Sequence, residues 1–339
     1  MAGNFVQLHN HTHYSLLDGA SKVPDLVKRV KELGMPAVGI TDHGNMHGAY
    51  ELWRAAVDSG VKPIIGIEAY VTPETARQDK TRVSWDTNWT PVPGHARNPD
   101  DVSGGGLITH LTMWAENDEG LVNLIKASSV ANLEGRVMRY PRMDKEVLST
   151  YSKGVIASSG CPSGIIQTRL RLGQFDEALR AAGEFQDIFG KDNFYIELMD
   201  HGLSIESKVT GDLLTIAKKL GAPLLATNDS HYVMEADKDV QDAMLCINSG
   251  ATLDDPNRFK FEGSGYYIKS AEEMRELFKD HPDACDNTLE IAERCNVIFD
   301  DHEDGAFMPQ FDCPEGWDET SLFLKKVEEG LEKRYDGNP

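Results

Sequence analysis

The sequence predicts an α/β fold: a barrel of βα units with a helical extension at its C-terminal end. Short apolar or β-branched runs alternate with longer helical patterns, the signature of parallel βα units. Seven such runs are present, more than a small doubly wound sheet requires. A chain of 339 residues also has room for one barrel of roughly 200–250 residues plus an appendage.

Strands are expected at 5–9 (FVQLH), 36–41 (PAVGIT), 63–71 (PIIGIEAYV), 107–115 (LITHLTMWA), 153–158 (KGVIAS), 193–199 (NFYIELM) and 222–228 (APLLATN). Helical stretches lie between them at 24–33, 47–60, 118–132, 163–189 and 204–220. The fourth of these reads as two helices broken near Gly173, and Glu177, Ala178, Arg180 and Ala181 show its good helix formers. Residues 74–106 interrupt the alternation. They are polar, contain Pro91, Pro93, Pro99 and the run Gly104–Gly106, and form a long loop of the kind that is a binding element or disordered. From about 234 the chain is helical with no further strands. The pattern therefore predicts a barrel domain over 1–284, with 74–106 as its insertion, and a helical segment over 285–339. The end at Asn338-Pro339, just past a charged amphipathic helix, reads as a cut rather than a natural terminus.

Composition removes several function classes. Hydrophobic residues are 40% and charged residues 26%, ordinary for a globular chain. No apolar run approaches the roughly 20 residues of a membrane helix, and no secretory signal opens the chain. Five cysteines, with no CxxC pair, point to a reducing cytoplasm. With 34 Lys+Arg against 55 Asp+Glu the net charge is −21, which argues against a broad basic nucleic-acid groove. Metal ions can still supply positive charge locally.

The decisive feature is where the polar residues fall. His9 and His11 end the first expected strand, with Asp18 beyond them. Thr41-Asp42-His43 ends the second, Glu68 lies in the third and His110 in the fourth. Cys161 follows the fifth strand, and Asp229-Ser230-His231 the seventh. In parallel barrels functional groups converge on the C-terminal face. Residues two apart on an extended chain face the same way, so His9/His11 and Asp229/His231 are each expected to aim at one point.

Most single members of such a set have a plainer explanation. His47, His95, His281 and His302 read as surface or cap residues, and Cys246 and Cys295 as small buried hydrophobes. Glu68 resists that treatment, because its run should be buried on both faces. A buried carboxylate costs several kcal/mol unless something compensates its charge, and no lysine or arginine flanks it. A cation is the economical partner. Imidazole, carboxylate and one thiolate suit zinc, manganese or iron. Nine ligands (His9, His11, Asp18, His43, Glu68, His110, Cys161, Asp229 and His231) exceed the usual mononuclear or dinuclear set, so three divalent ions are expected, zinc first among them. Three such ions carry six positive charges against four on Asp18, Glu68, Asp229 and a Cys161 thiolate. A net cationic pocket inside an acidic protein would draw a phosphate.

At LHNHTHYSLLDG (8–19) and GITDHGNM (39–46) the sequence resembles the PHP (polymerase and histidinol phosphatase) family. The likeness continues through PIIGIEAYV, THLTMWAEN (109–117), SSGCPSG (158–164) and ATNDSHYV (226–233). HYSLLDGA, TRLRLGQFDEA and the stretch from DVQDAMLCINSG to SAEEM resemble the type carried at the N-terminal end of bacterial replicative DNA polymerase III alpha subunits. The resemblance covers essentially the whole chain and implies a distorted (β/α)7 barrel. Carried over residue by residue, it implies one ion at His9, His11, Glu68 and Asp229, the candidate catalytic set. A second would share Glu68 with His110 and Cys161, and a third would take Asp18, His43 and His231. Phosphatase members commonly have histidine at the positions of Asp18 and Cys161, and the polymerase type accepts both changes.

The implied activity is metal-dependent 3′–5′ exonuclease proofreading. The implied partners are DNA 3′ ends, the rest of the alpha subunit and a replisome with its sliding clamp. The palm carboxylates of the polymerase are expected beyond residue 339, so this chain alone should not polymerise DNA. Three alternatives compete. A histidinol phosphatase-like phosphomonoesterase leaves the tail 232–339 unexplained. An amidohydrolase, which also opens with HxH, needs a bridging lysine that THLTMWA does not offer. A metal-stabilised structural or partner-binding domain uses the same ligands. Asp42, Glu197 and His201 are expected to orient ligands or simply to pack, and Trp85 and Trp89 are candidate base-stacking or packing residues in the long loop.

Overall fold

The computed structural model describes residues 5–16, 18–90, 98–300 and 309–335. The chain divides into two compact units, Met1–Ile298 and Phe299–Pro339. In the first, strands β1 (Ala37–Ile40), β2 (Lys62–Val71), β3 (Thr109–Ala115), β4 (Arg142–Met143), β5 (Val155–Ser158), β6 (Phe194–Leu198) and β7 (Leu224–Ala226) form one sheet. Its order is β1-β2-β3-β5-β6-β7, with β4 pairing to the end of β2. The helices are α1 (Val23–Glu32), α2 (Ala49–Ser59), the single turn α3 (Ser103–Gly106), α4 (Asp118–Glu134) and α5 (Lys145–Thr150). They continue with α6 (Ile165–Arg171), α7 (Phe175–Phe189), α8 (Ser204–Leu220), α9 (Lys238–Ser249), α10 (Ala271–Leu277) and α11 (Pro282–Arg294).

Local chemistry accounts for these boundaries. α1 opens with Pro24 in its first turn and buries Val23, Leu26, Val27 and Val30, an i, i+3, i+4, i+7 stripe. α2 stops at Gly60, whose φ of 71° is the left-handed C-terminal cap. The side chain of Asn117 caps α4 by accepting from the Gly120 N–H. The break expected near Gly173 separates α6 from α7.

The distorted α/β barrel is present, with two departures from the uniform parallel pattern. The run 5–9 forms no regular strand. It joins β1 through the Gln7–Val38 bridge and the β7 end through Asn10–Ser230, and so links the two edges of the sheet. Gly39 permits this approach, since a Cβ there would sit 2.7 Å from the Leu8 carbonyl oxygen. The seventh strand is instead the two-residue β4, too short to show a period in sequence. The second departure is direction: β3 runs antiparallel to both β2 and β5, whereas β1–β2, β2–β4, β5–β6 and β6–β7 are parallel.

The core gathers Ala37, Ile64, Trp114, Ile156, Tyr195 and Leu225 from the sheet and Val6 and Leu8 from the segment that closes it, with Ile291, Ala292 and Cys295 from α11 and its end. Val6 N–H donates to Thr288 Oγ1 at 3.1 Å, and Asn287 Nδ2 to the Leu224 carbonyl at 2.7 Å. These contacts bind α11 to the barrel, and the compact unit extends to Ile298. Cys246 is buried like Cys295, as small hydrophobes are. The second unit contains α12 (Glu319–Tyr335), whose first turn is held by Asp318 Oδ1 accepting from the Ser321 N–H at 2.7 Å. Among the described residues no helix is long and apolar enough to cross a membrane.

Candidate metal centre

The fold brings the nine sequence-selected side chains together in overlapping groups. His9 and His11 flank Asn10, whose side-chain amide donates to the Gln7 and Gly39 carbonyls and so locks the segment against β1. Both imidazoles then face Glu68 and Asp229: His9 Nε2 lies 3.5 Å from Glu68 and 3.3 Å from Asp229, and His11 Nε2 3.6 and 3.0 Å from the same two. His43 Nδ1 is 2.6 Å from Glu68, and its Nε2 is 3.2 Å from Asp18. His110 Nδ1 is 3.1 Å from Glu68 and 3.4 Å from the Cys161 sulfur. The His231 ring stacks on His11 with centroids 4.3 Å apart.

His110 reaches this centre because β3 is inverted. It stands near the start of its strand, opposite Tyr70 at the C-terminal end of β2. Uniformly parallel strands would have carried the start of β3 to the far end of the barrel. The Asp229/His231 pair also arrives by a different route from the simple alternation expected. Asp229 adopts a left-handed φ of 45°, uncommon outside glycine. His231 Nδ1 lies 2.8 Å from the Asp229 carbonyl oxygen.

The chemistry of the pocket fits cations. His9 Nε2, His11 Nε2, His43 Nδ1, both Glu68 oxygens, Asp18 Oδ1 and Asp229 Oδ1 are buried and, close as several of them lie to one another, none is aligned for a hydrogen bond. Orphaned buried polar atoms are costly, and seven of the seventeen among the described residues converge here. Among the described residues, three groups have ligand atoms within 4.8 Å of one another: His9–His11–Asp229, His11–His43–His231 and His43–Glu68–His110. Burial opposes the charge on Glu68, yet the His110 and His43 imidazoles hold its carboxyl well below the usual range. Burial, with His43 and His231 nearby, pushes His11 down to about 3, leaving a neutral ring with a free lone pair. Burial and the charges of Glu68 and Asp229 raise the Cys161 thiol, a preference that a bound cation reverses.

Behind the ligands stands a supporting layer. Glu197 is fully buried on β6, accepts from His9 Nδ1 at 2.7 Å and Thr227 Oγ1 at 2.5 Å, and also accepts from Ser158 Oγ. Asp42 accepts from Thr12 N–H, Thr12 Oγ1 and Ser15 Oγ at 2.7–2.8 Å, and Ser15 in turn meets His11 Nδ1 at 2.9 Å. These partners turn the free nitrogens of His9 and His11 toward Glu68 and Asp229. Glu197 carries the same sequence signal as Glu68, a lone carboxylate in an apolar strand. His201 sits apart, bridging Glu206 at 2.6 Å and the Asn228 carbonyl at 2.8 Å, and braces the loop before Asp229. His47 is exposed, His281 holds the N-cap position of α11, and His95 and His302 lie outside the described residues. One face of the Trp85 ring is covered by the Arg169 guanidinium at 3.8 Å, so Trp85 packs the loop in place.

The PHP domain family profile matches residues 7–201. The chain belongs to the PHP family. Over 337 residues, 99% of its length, it is 50% identical to the DNA polymerase III subunit alpha of Mycobacterium leprae. It is 51% identical over 332 residues to the protein of the same name from Saccharopolyspora erythraea. The chain spans 28% of the length of each of these relatives. An amidohydrolase from Chromobacterium violaceum, solved with sulfate and no metal, aligns with 67% of this PHP chain and 87% of its own at 15% identity and a TM-score of 0.39.

Proposed function

We propose that this PHP chain is a metal-dependent 3′–5′ exonuclease of DNA, the proofreading part of a cytoplasmic bacterial replicative polymerase alpha subunit. The observation that carries the reading is the convergence of buried ligand atoms from His9, His11, Asp18, His43, Glu68 and Asp229 that have no hydrogen-bond partner. Likeness over 98–99% of this chain to relatives named DNA polymerase III subunit alpha supports DNA as the substrate. The rest of that subunit, the replisome and its clamp are the proposed partners.

His9, His11, Glu68, Asp229, Asp18, His43, His231, His110 and Cys161 would hold three divalent ions, zinc first. When bound, such ions lower the pKa of water and neutralise charge on the phosphate. The side chains do the positioning. Glu197 and Ser15 set the rotation of the His9 and His11 rings, and Asp42 holds Ser15. Glu68 reaches His9, His11, His43 and His110, and so ties the groups into one centre. No side chain is required as a nucleophile.

The test combines elemental analysis with an end-labelled single strand. Near three ions per chain are expected, with shortening from the 3′ end and resistance when that end is blocked. Asp229→Asn should abolish cleavage, because it removes a charged ligand while nearly keeping the shape. Hydrolysis of histidinol phosphate without nuclease activity would move the assignment to a phosphomonoesterase. A metal-bound chain inactive on both substrates would make the centre structural.

A further inference from the structure

A cleft of about 510 Å³ opens beside the candidate centre. It is lined by the candidate ligands Asp18, His43 and His110 and, beyond them, by Arg136, Arg139 and Tyr140. The latter three belong to the turn between α4 and β4. Val137 and Tyr140 close this turn with two backbone hydrogen bonds of 3.0 Å, and Met138 at its tip has a φ of 54°. The buried Arg142 staples the base, its guanidinium donating to the carbonyls of Gly135, Leu107, Arg77 and Asp79. The turn is therefore held firmly, with an uncommon backbone conformation at its tip.

Among the described residues, the two arginines of this turn have no acidic partner within 4 Å. Arg54, Arg77, Arg169, Arg180, Arg258 and Arg294 each lie within 4 Å of a carboxylate, as expected where acids outnumber bases 55 to 34. Arg136 donates instead to the Met138 carbonyl at 3.4 Å, and Arg139 to Asn248 Oδ1 at 2.6 Å and the Tyr140 hydroxyl at 3.3 Å. Two guanidinium charges with no carboxylate of the described residues within 4 Å thus line the cleft of a strongly acidic protein. Arg139 also lies 5.3 Å from the Tyr140 ring centroid. Tyr140 meets Tyr70 edge-on at 5.1 Å, and Tyr70 stacks on the candidate ligand His43 at 6.0 Å. An aromatic path leads from the proposed reaction centre to the arginines.

We propose that Arg136, Arg139 and Tyr140 form a substrate subsite that holds the single-stranded DNA behind its reacting 3′ end. The guanidiniums take backbone phosphates and Tyr140 stacks an unpaired base, the combination by which single strands are bound without sequence preference. A lone phosphomonoester, seated at the ions, would leave these groups unused. The subsite rests on the exonuclease reading for its direction and adds to it a preference for unpaired strands.

The experiment measures binding and cleavage separately on the metal-loaded chain. Affinity is read by fluorescence anisotropy with an oligodeoxynucleotide carrying a 3′-terminal phosphorothioate, and cleavage with the ordinary oligonucleotide and with bis(p-nitrophenyl) phosphate. For Arg136→Gln/Arg139→Gln, the slope of log affinity against log salt should fall by about 1.4, two phosphates at about 0.7 each. Tyr140→Ala should weaken oligonucleotide binding about tenfold, in the range of one lost base stack. Both variants should lose oligonucleotide kcat/KM at least ten times more than small-diester kcat/KM. Arg136 and Arg139 are exposed, and an unchanged Tm checks that the fold is intact. Unaltered salt slope, affinity and kcat/KM in a chain that cleaves DNA would overturn the subsite and leave the exonuclease reading standing. Binding that depends on the three residues, in a wild type that cleaves no DNA, would do the reverse.

Discussion

Replacing Glu197 tests whether the candidate centre depends on its buried supports. The carboxylate is fully buried and receives three donors, His9 Nδ1, Ser158 Oγ and Thr227 Oγ1. Glu197→Gln keeps a carbonyl acceptor for one of them. Its new N–H groups can face Ser158 or Thr227, whose hydroxyls rotate to accept. Most of the packing survives, but His9 loses the charged acceptor that sets its tautomer and strengthens it as a ligand. Loss of such support typically lowers metal affinity or activity about 10–100-fold, equivalent to about 1.4–2.7 kcal/mol. Glu197→Ala is harsher, since it strands all three donors. At about 1–3 kcal/mol for each buried unsatisfied group, it should lose at least about 3 kcal/mol of stability. In a unit of this size that is about 5 °C or more in Tm. Metal-competition titration, metal-free melting curves and single-turnover cleavage separate the effects. The glutamine variant should show weakened metal binding with little change in metal-free Tm. Wild-type metal affinity and rate in that variant would refute the supporting role of Glu197.

Three further perturbations address other parts of the molecule. Chelation should lower the Tm and restoration of zinc or manganese should recover it, because ligands that bind only the folded state stabilise by mass action; an unchanged melting curve would count against a resident metal cluster. Cys161→His should retain metal and measurable cleavage, since the introduced imidazole can replace the thiolate as a ligand, whereas Cys161→Ser should lose both; serine with full metal content and rate would make Cys161 a packing residue. Glu74 is held below the usual carboxylate range: burial opposes its charge, but Arg180 and Arg169 outweigh it. A depressed folded-state pKa contributes stability above the unfolded value near 4.5, and that contribution disappears as the pH falls through the folded value. Glu74→Gln should therefore cost about 1–2 kcal/mol at pH 7 and progressively less below pH 4.5, read by denaturant melts; an equal loss at all pH values would assign the effect to packing.

Much of the molecule is legible without coordinates because it depends on short-range chemistry. Helical periodicity locates α1, α2, α4, α7 and α8 to within a few residues, and Gly173 marks the α6–α7 break. The alternation in His9-Asn10-His11 places two imidazoles on one side, and the isolated carboxylate in PIIGIEAYV marks Glu68 as needing a partner. NFYIELM carries the same signal at Glu197, yet the sequence leaves that residue between orienting a ligand and packing and does not name His9 as its partner.

The sequence by itself determined the α/β alternation, most helix limits and the residue types suited to a metal centre. Tertiary structure decided how those residues meet. Nothing in the run THLTMWA records that β3 runs backwards, because strand direction depends on where the chain returns after residues 72–108 and which edges it then pairs. That inversion lifts His110 beside Glu68. The positive φ at Asp229, the closure of the sheet by residues 5–11 and the setting of His9 by Glu197 arise the same way. Each requires contacts between segments remote in sequence, whereas periodicity and propensity report only on neighbours.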